Sequence, residues 1–100
     1  MALSKIPDRR AVKSDEGFTV ERLGSPMTQF LIRYSEDNHW IEYPLENLTP
    51  DSQITIFASQ ITSWLPPFSE KILSAEKRVQ IAERMADGMT FMGDAVTVRP

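Results

Sequence analysis

Large apolar residues recur at every second position in the first half of the chain. Residues 18–20 and 30–34 show this alternation, and residues 40–43 add a run of aromatic and β-branched side chains. A period of two is typical of half-buried strands. The polar segments 24–26 and 35–38 separate these runs with Gly, Pro, Asp and Asn, which favour tight turns. The first half therefore predicts an antiparallel meander, in which residues 35–38 form a hairpin connection.

The pattern in the second half predicts two more short strands before a helix. Residues 54–57 and 61–64 favour extended structure, and they could also form one bent strand. Both interpretations stay open. The preceding segment, residues 45–52, is predicted to form a loop or a short helical turn. The proline pair at 66–67 lacks backbone donors and ends the extended segment. Trp64, just before it, brings a large apolar surface and is predicted to belong to the core.

A single helix is predicted between Ser74 and Gly93. Ser74 is a suitable N-cap, and Gly93 can adopt the left-handed conformation that ends a helix. Residues 95–98 can then return as a short last strand. The chain therefore predicts an α+β fold, an antiparallel sheet of four to six strands packed against one main C-terminal helix. The apolar residues with helical spacing are Ile81, Met85, Met89 and Met92.

The length of the chain bounds its organisation. One hundred residues suffice for one hydrophobic core and one domain. Residues 1–16 are polar and show no apolar period, so they predict an N-terminal arm that lies loosely on a single domain formed by residues 17–100. That domain carries the acidic excess behind the net charge of −3. An acidic domain favours a basic protein partner over DNA or RNA.

The composition also indicates in which cellular compartment the protein is expected. The chain contains no cysteine, no apolar run of membrane-spanning length and no hydrophobic signal segment at its start. These features favour a bacterial-type protein of the reducing cytoplasm that does not enter a membrane. We expect a monomer or a weak dimer.

No set of residues with catalytic spacing is present in the sequence. His39 is the only histidine, and no cysteine or second histidine accompanies it at the spacing of a zinc site. Ser74 and Lys77 match the S-x-x-K nucleophile pattern, but the accompanying motifs are absent and a helix cap explains Ser74. The four glycines form no phosphate-binding loop. We therefore expect a protein that is not an enzyme and that needs neither cofactor nor metal.

Acidic and aromatic residues are interleaved around the predicted hairpin. Carboxylates that meet a basic partner, together with aromatic anchors, are typical of protein-docking surfaces. The same residues also suit a structural role, because Asp and Glu occupy turns and solvated strand faces, and Trp40 or Ile41 can be core. Both interpretations stay open. The candidate docking residues are Glu36, Asp37, His39, Trp40, Glu42 and Tyr43.

A tryptophan, two prolines and a helix follow one another in residues 61–85, with the letters ITSWLPPFSEKILSAEKRVQIAERM. Together with the later strand VTV, this pattern resembles one family of small immunity proteins, numbered seventy-four, from bacterial polymorphic-toxin and contact-dependent growth inhibition systems. Two segments upstream of residue 61 are also similar to this family. Its Tyr-x-Glu segment corresponds to Tyr34-Ser35-Glu36, and its second strand, which ends near Glu, corresponds to Ile41-Glu42-Tyr43. The family tends to Asn after the helical Ile81, where this chain has Ala82.

The resemblance implies a protein without enzymatic activity that binds the C-terminal toxin domain made by the same cell and neutralises it stoichiometrically. Many such toxins are nucleases with basic substrate channels, which an acidic inhibitor suits. The motif around Trp64 would maintain the fold, so the docking residues are expected in the hairpin. The alternative is a structural or adaptor subunit, phage- or secretion-associated, that binds a fixed partner without inhibiting it.

Overall fold

Five strands form one antiparallel sheet in the order of the chain. The computed structural model describes residues 2–24, 30–45 and 53–100. Each strand pairs with its neighbour in sequence, so the main sheet is a meander. The strands are β1 (Leu3–Ile6), β2 (Ala11–Ser14), β3 (Phe18–Leu23), β4 (Phe30–Glu36) and β5 (His39–Leu45).

A helix and a smaller sheet complete the fold. The strands β6 (Ile54–Phe57) and β7 (Val96–Arg99) pair in parallel, and helix α1 (Ala75–Phe91) lies between them in the chain. A parallel pair requires such a crossover connection. The predicted α+β class, with one main C-terminal helix and a short last strand, is confirmed. Most of the predicted turn at 24–26 and of the predicted loop at 45–52 lies outside the described residues.

The prediction of a strand at residues 61–64 is wrong, both as a separate strand and as part of one bent strand. A short 3-10 helix at Ala58–Gln60 interrupts the chain after β6. Residues 61–64 then pair with no described strand. The backbone N–H of Leu65 instead donates to the carbonyl oxygen of Trp40, 2.8 Å away. This bond attaches the segment to the edge of β5.

The structure corrects the prediction of a loose N-terminal arm, because β1 and β2 belong to the main sheet. Val12 opposes Val20 of β3, and both side chains are fully buried. On the other face, the guanidinium of Arg9 binds the buried carboxylate of Glu21 at 2.6 Å. Strands of four residues are too short for their alternation to be recognised. The place of β2 depends on pairing with β3, which lies beyond the arm, and β1 in turn pairs with β2.

The core lies between one face of the main sheet and α1. Strands β2, β3 and β4 lie against the helix there, where Ile81 and Met85 are fully buried. The hydroxyl of Ser74 accepts a hydrogen bond from the backbone N–H of Lys77 at 3.1 Å, as expected of an N-cap. Gly93 follows the helix with φ of +99°, which confirms the predicted left-handed end.

Candidate functional site

The six candidate docking residues do not form one surface. Glu36 and His39 oppose each other at the ends of β4 and β5, on the face that carries α1. Trp40 and Glu42 point to the opposite face, which we call the outer face, because side chains alternate along a strand. Tyr43 returns to the helix face, where only 5% of it is exposed. The predicted patch is therefore divided between the two faces of the main sheet.

A two-residue turn joins β4 to β5, which confirms the predicted hairpin but shortens its predicted connection at residues 35–38, because Ser35 and Glu36 pair with β5. Asp37 and Asn38 have φ of 47° and 63°, so both lie in the left-handed region. Two successive residues of this kind are typical of a type I′ turn, whose twist matches that of the flanking strands. Asp37 is exposed, and its carbonyl oxygen accepts a hydrogen bond from Nδ1 of His39 at 2.7 Å. Turn geometry thus accounts for the position of Asp37.

Glu36 lies in a network of side chains from the sheet and the helix. Its Oε1 accepts a hydrogen bond from the hydroxyl of Tyr34 at 2.6 Å and pairs with Nζ of Lys77 at 2.7 Å. Arg84 lies 3.6 Å from the same oxygen and donates to the Tyr34 hydroxyl at 3.0 Å. The Glu36 side chain is only 16% exposed. The network joins β4 to α1 and leaves little of Glu36 for a partner.

Burial and charge set the protonation states in this network. Burial alone would raise the pKa of Glu36. The hydrogen bonds from Lys77 and Tyr34, together with the positive charges of Lys77 and Arg84, outweigh burial and hold the pKa of Glu36 below its ordinary value of 4.5. Burial and the hydrogen bond to Glu36 raise the pKa of Tyr34. An ionised carboxylate and a neutral phenol therefore stabilise the folded state at neutral pH.

We expect Glu36→Gln to lower the free energy of unfolding by about 1 kcal/mol at pH 7, because glutamine lacks the charge that Lys77 and Arg84 surround. A carboxyl whose pKa is lowered by folding stabilises the protein above the pKa of the unfolded chain. This stabilisation is lost as the pH falls through the folded value. Urea unfolding of wild type and variant, at pH 7 and at about pH 2.5, should show a difference that shrinks in acid.

Glu42→Gln is the matched control for this prediction. Glu42 pairs with Arg33 on the outer face, where its side chain is 32% exposed. Exposed ion pairs contribute about 0–1 kcal/mol, so the control should change stability little at either pH. If wild type and Glu36→Gln differed equally at both pH values, the charge of Glu36 would not be what stabilises the fold.

Trp40 is the exposed aromatic side chain of the hairpin, with 45% of its surface accessible on the outer face. The guanidinium carbon of Arg33 lies 5.7 Å from the centre of its ring, within the range of a cation–π contact. Arg33 also binds Glu42 at 2.7 Å. We call Arg33, Trp40 and Glu42 the outer-face cluster. It presents an aromatic ring beside a neutralised carboxylate, which differs from the acidic patch that the sequence predicts.

Tyr43 belongs to the core and cannot contribute to docking. Its hydroxyl donates to Oε1 of Gln60 at 2.8 Å and accepts from the backbone N–H of Phe57 at 3.1 Å. These two bonds connect β5 to β6 and to the short 3-10 helix. Since its ring is buried as well, the structure removes Tyr43 from the candidate set.

His39 lines a cleft of about 280 Å³ between the hairpin turn and the segment that precedes α1. Its ring stacks on Phe68, with 3.8 Å between the ring centres, and lies 5.1 Å from the ring centre of Trp64. Nε2 of His39 accepts a hydrogen bond from Nζ of Lys71 at 2.9 Å. The cleft thus combines an aromatic wall with the ammonium groups of Lys71 and Lys77.

The sequence prediction missed the positively charged partners of the hairpin. Lys71, Lys77 and Arg84 reach His39 and Glu36 from distant parts of the chain. Local motifs do not mark such contacts. The seven-residue separation of Lys77 and Arg84, which puts them on one side of a helix, is the single signal that could have grouped them.

No group of three or more His, Cys, Asp or Glu side chains among the described residues could hold a metal ion. Within the same part of the chain, no helix has the length and apolar character needed to cross a membrane. Comparison of the chain with protein-family models, with curated proteins and with solved structures found no match.

Proposed function

We propose that this chain is an immunity protein, which binds the cognate toxin domain of the same cell stoichiometrically and neutralises it in the cytoplasm. The exposure of Trp40 is the observation that supports this proposal most. Its indole is 45% accessible on a paired strand, beside Arg33 and Glu42. Tryptophan and arginine are among the residues that most often dominate the binding energy of protein interfaces.

The charge of the chain supports a basic partner. The net charge is −3, and no cation of the described residues lies within 4.0 Å of the Asp37 carboxylate at the hairpin turn. A negative field accelerates encounter with a positively charged surface, such as the substrate channel of a nuclease. The partner proposed is therefore a toxin domain with a basic active-site channel.

Neutralisation by this route needs no chemical step. The hairpin would place Trp40 in an apolar depression of the toxin, while the Asp37 carboxylate faces the basic side chains around its active site. Occupation of the channel would exclude the substrate, and slow dissociation would maintain protection. Glu36 would act indirectly, because its network ties the hairpin to α1 and so lowers the cost of ordering it on binding.

Co-expression tests the proposal directly. The C-terminal domain encoded immediately upstream of this gene is expressed in a test bacterium, with and without the chain, and growth is scored. We expect that domain to stop growth alone and to permit growth when the chain is present. A harmless upstream product, or toxicity that the chain does not relieve, would contradict the immunity role and favour the adaptor alternative.

We expect Trp40→Ala to weaken binding to the toxin domain about tenfold, because the indole provides the central apolar contact. Phe57→Ala is the matched control, since Phe57 is 40% exposed but lies in β6 of the smaller sheet. Isothermal titration calorimetry measures both dissociation constants, and circular dichroism checks that both variants fold. Binding lost in Phe57→Ala and retained in Trp40→Ala would place the interface on the smaller sheet.

A further inference from the structure

Lys71 is a charged group with an uncharged partner. Its Nζ donates to Nε2 of His39 at 2.9 Å and lies 5.0 Å from the centre of the Phe68 ring. Nδ1 of His39 donates to the carbonyl oxygen of Asp37, and Nε2 is the acceptor in its contact with Lys71, because an ammonium group has no lone pair to accept with. No carboxylate of the described residues lies within 4.0 Å of this Nζ. Two of its three N–H donors thus have no acceptor in that part of the chain.

The cleft beside Lys71 has room for one side chain. Its volume of about 280 Å³ lies just below the range of about 300–1,000 Å³ that is usual for pockets of drug-sized ligands. Trp64 and Leu73 give it an apolar wall, and Ile72 lies at its rim with 95% of its surface exposed. A group with a short apolar stem and a charged end fits this lining.

The positive charges in and behind the cleft outnumber the negative ones. Lys71 and Lys77 line the cleft together with Glu36 and Asp37, and Arg84 lies behind this lining, 3.6 Å from the Glu36 carboxylate. The Glu36 carboxylate is already neutralised by Lys77 and Arg84. The first turn of α1 borders the cleft and adds the partial positive charge of a helix N-terminus. A positive excess remains in a chain whose net charge is −3.

We propose that this cleft binds a carboxylate, carried by an acidic side chain of a protein partner, with Lys71 as its principal donor. The carboxylate would replace Nε2 of His39 as the acceptor for the ammonium, since a charged acceptor forms the stronger hydrogen bond. The stem of the acidic side chain would contact Trp64 and Ile72. The inference goes beyond the immunity role and does not depend on it, because the site lies on the helix side of the sheet and is tested without a toxin.

Nuclear magnetic resonance titration with N-acetyl-L-glutamic acid α-methylamide tests the site. We expect saturable shifts of the His39 ring and Lys71 resonances, with a dissociation constant of about 1 mM or weaker for so small a ligand. The neutral glutamine derivative of the same shape should produce no saturable shift. Absence of saturable shifts with the glutamic acid derivative would overturn the proposal. Acetate binding without binding of that derivative would assign the cleft to small carboxylates and would also overturn it.

Two lysine variants localise the effect. Lys71→Gln should raise the dissociation constant about tenfold, because it removes the charged donor. Lys13→Gln should leave it unchanged, since Lys13 is an exposed lysine of β2 on the outer face. Both residues are exposed, so both variants should retain the wild-type spectrum outside their own surroundings. Equal weakening by both variants would show general charge attraction and contradict a site at Lys71.

Discussion

Replacing Trp64 with alanine is expected to destabilise the protein by about 3–5 kcal/mol, a large part of the total stability of about 5–15 kcal/mol typical of a domain. The side chain is 6% exposed and belongs to the core, as the sequence predicts. Its ring centre lies 6.4 Å from that of Tyr34 and 5.1 Å from that of His39. Alanine would leave a cavity that these neighbours cannot fill without moving.

Urea unfolding followed by circular dichroism measures this effect. Trp40→Ala is the matched control, because it removes the same side chain from a position that is 45% exposed. It should cost about 1 kcal/mol at most, mainly the contact with Arg33. A Trp64→Ala protein that unfolds like the wild type and fails only in toxin binding would place Trp64 in the interface.

Replacing Gly88 with alanine should destabilise the protein by about 2 kcal/mol, although alanine normally strengthens a helix by about 1 kcal/mol. A Cβ at this position would lie 2.7 Å from Cβ of Val20 and 2.8 Å from its Cγ2. The Cβ of Val20 cannot rotate away, so α1 and β3 would have to separate. Overpacking of this kind costs about 1–3 kcal/mol and occasionally more, which exceeds the gain in helix propensity.

The double variant Gly88→Ala/Val20→Ala measures how much of the destabilisation comes from the close approach of α1 to β3 at these two residues. Val20→Ala removes two of the three close contacts and leaves the one to Cβ, so it relieves the clash in part. We expect the double variant to be about 1 kcal/mol more stable than the sum of the two single changes. Thermal unfolding of all four proteins gives this coupling. A higher melting temperature for Gly88→Ala alone would show that α1 does not press on β3.

The elements that could be predicted from sequence are those with local signals. The hairpin needs only Asp37 and Asn38 between two runs of strand-forming residues. The helix has its cap at Ser74 and its apolar side every three or four positions. The edge of the sheet could not be predicted in this way, because β1 and β2 are four residues long, and β2 is placed by its pairing with β3 and β1 by its pairing with β2.

The candidate site was predictable only in part. Alternation alone separates Trp40 and Glu42 from Tyr43, so the division between two faces could have been inferred from the strand itself. The neutralisation of Glu36 by Lys77 could not have been inferred from the sequence, because it depends on how α1 packs on β4. An acidic residue near a turn therefore looked available for docking, although packing had already occupied it.

The order of the elements has a consequence for synthesis. The main sheet is complete at Leu45, but the helix that covers its apolar face ends at Phe91. At about 5–20 residues per second, a ribosome needs roughly 2–9 s to add the residues between them. During that interval the apolar side chains of β2, β3 and β4 lack the cover that α1 later provides. A nascent chain of this topology therefore exposes the apolar face of its sheet until its own helix has been synthesised.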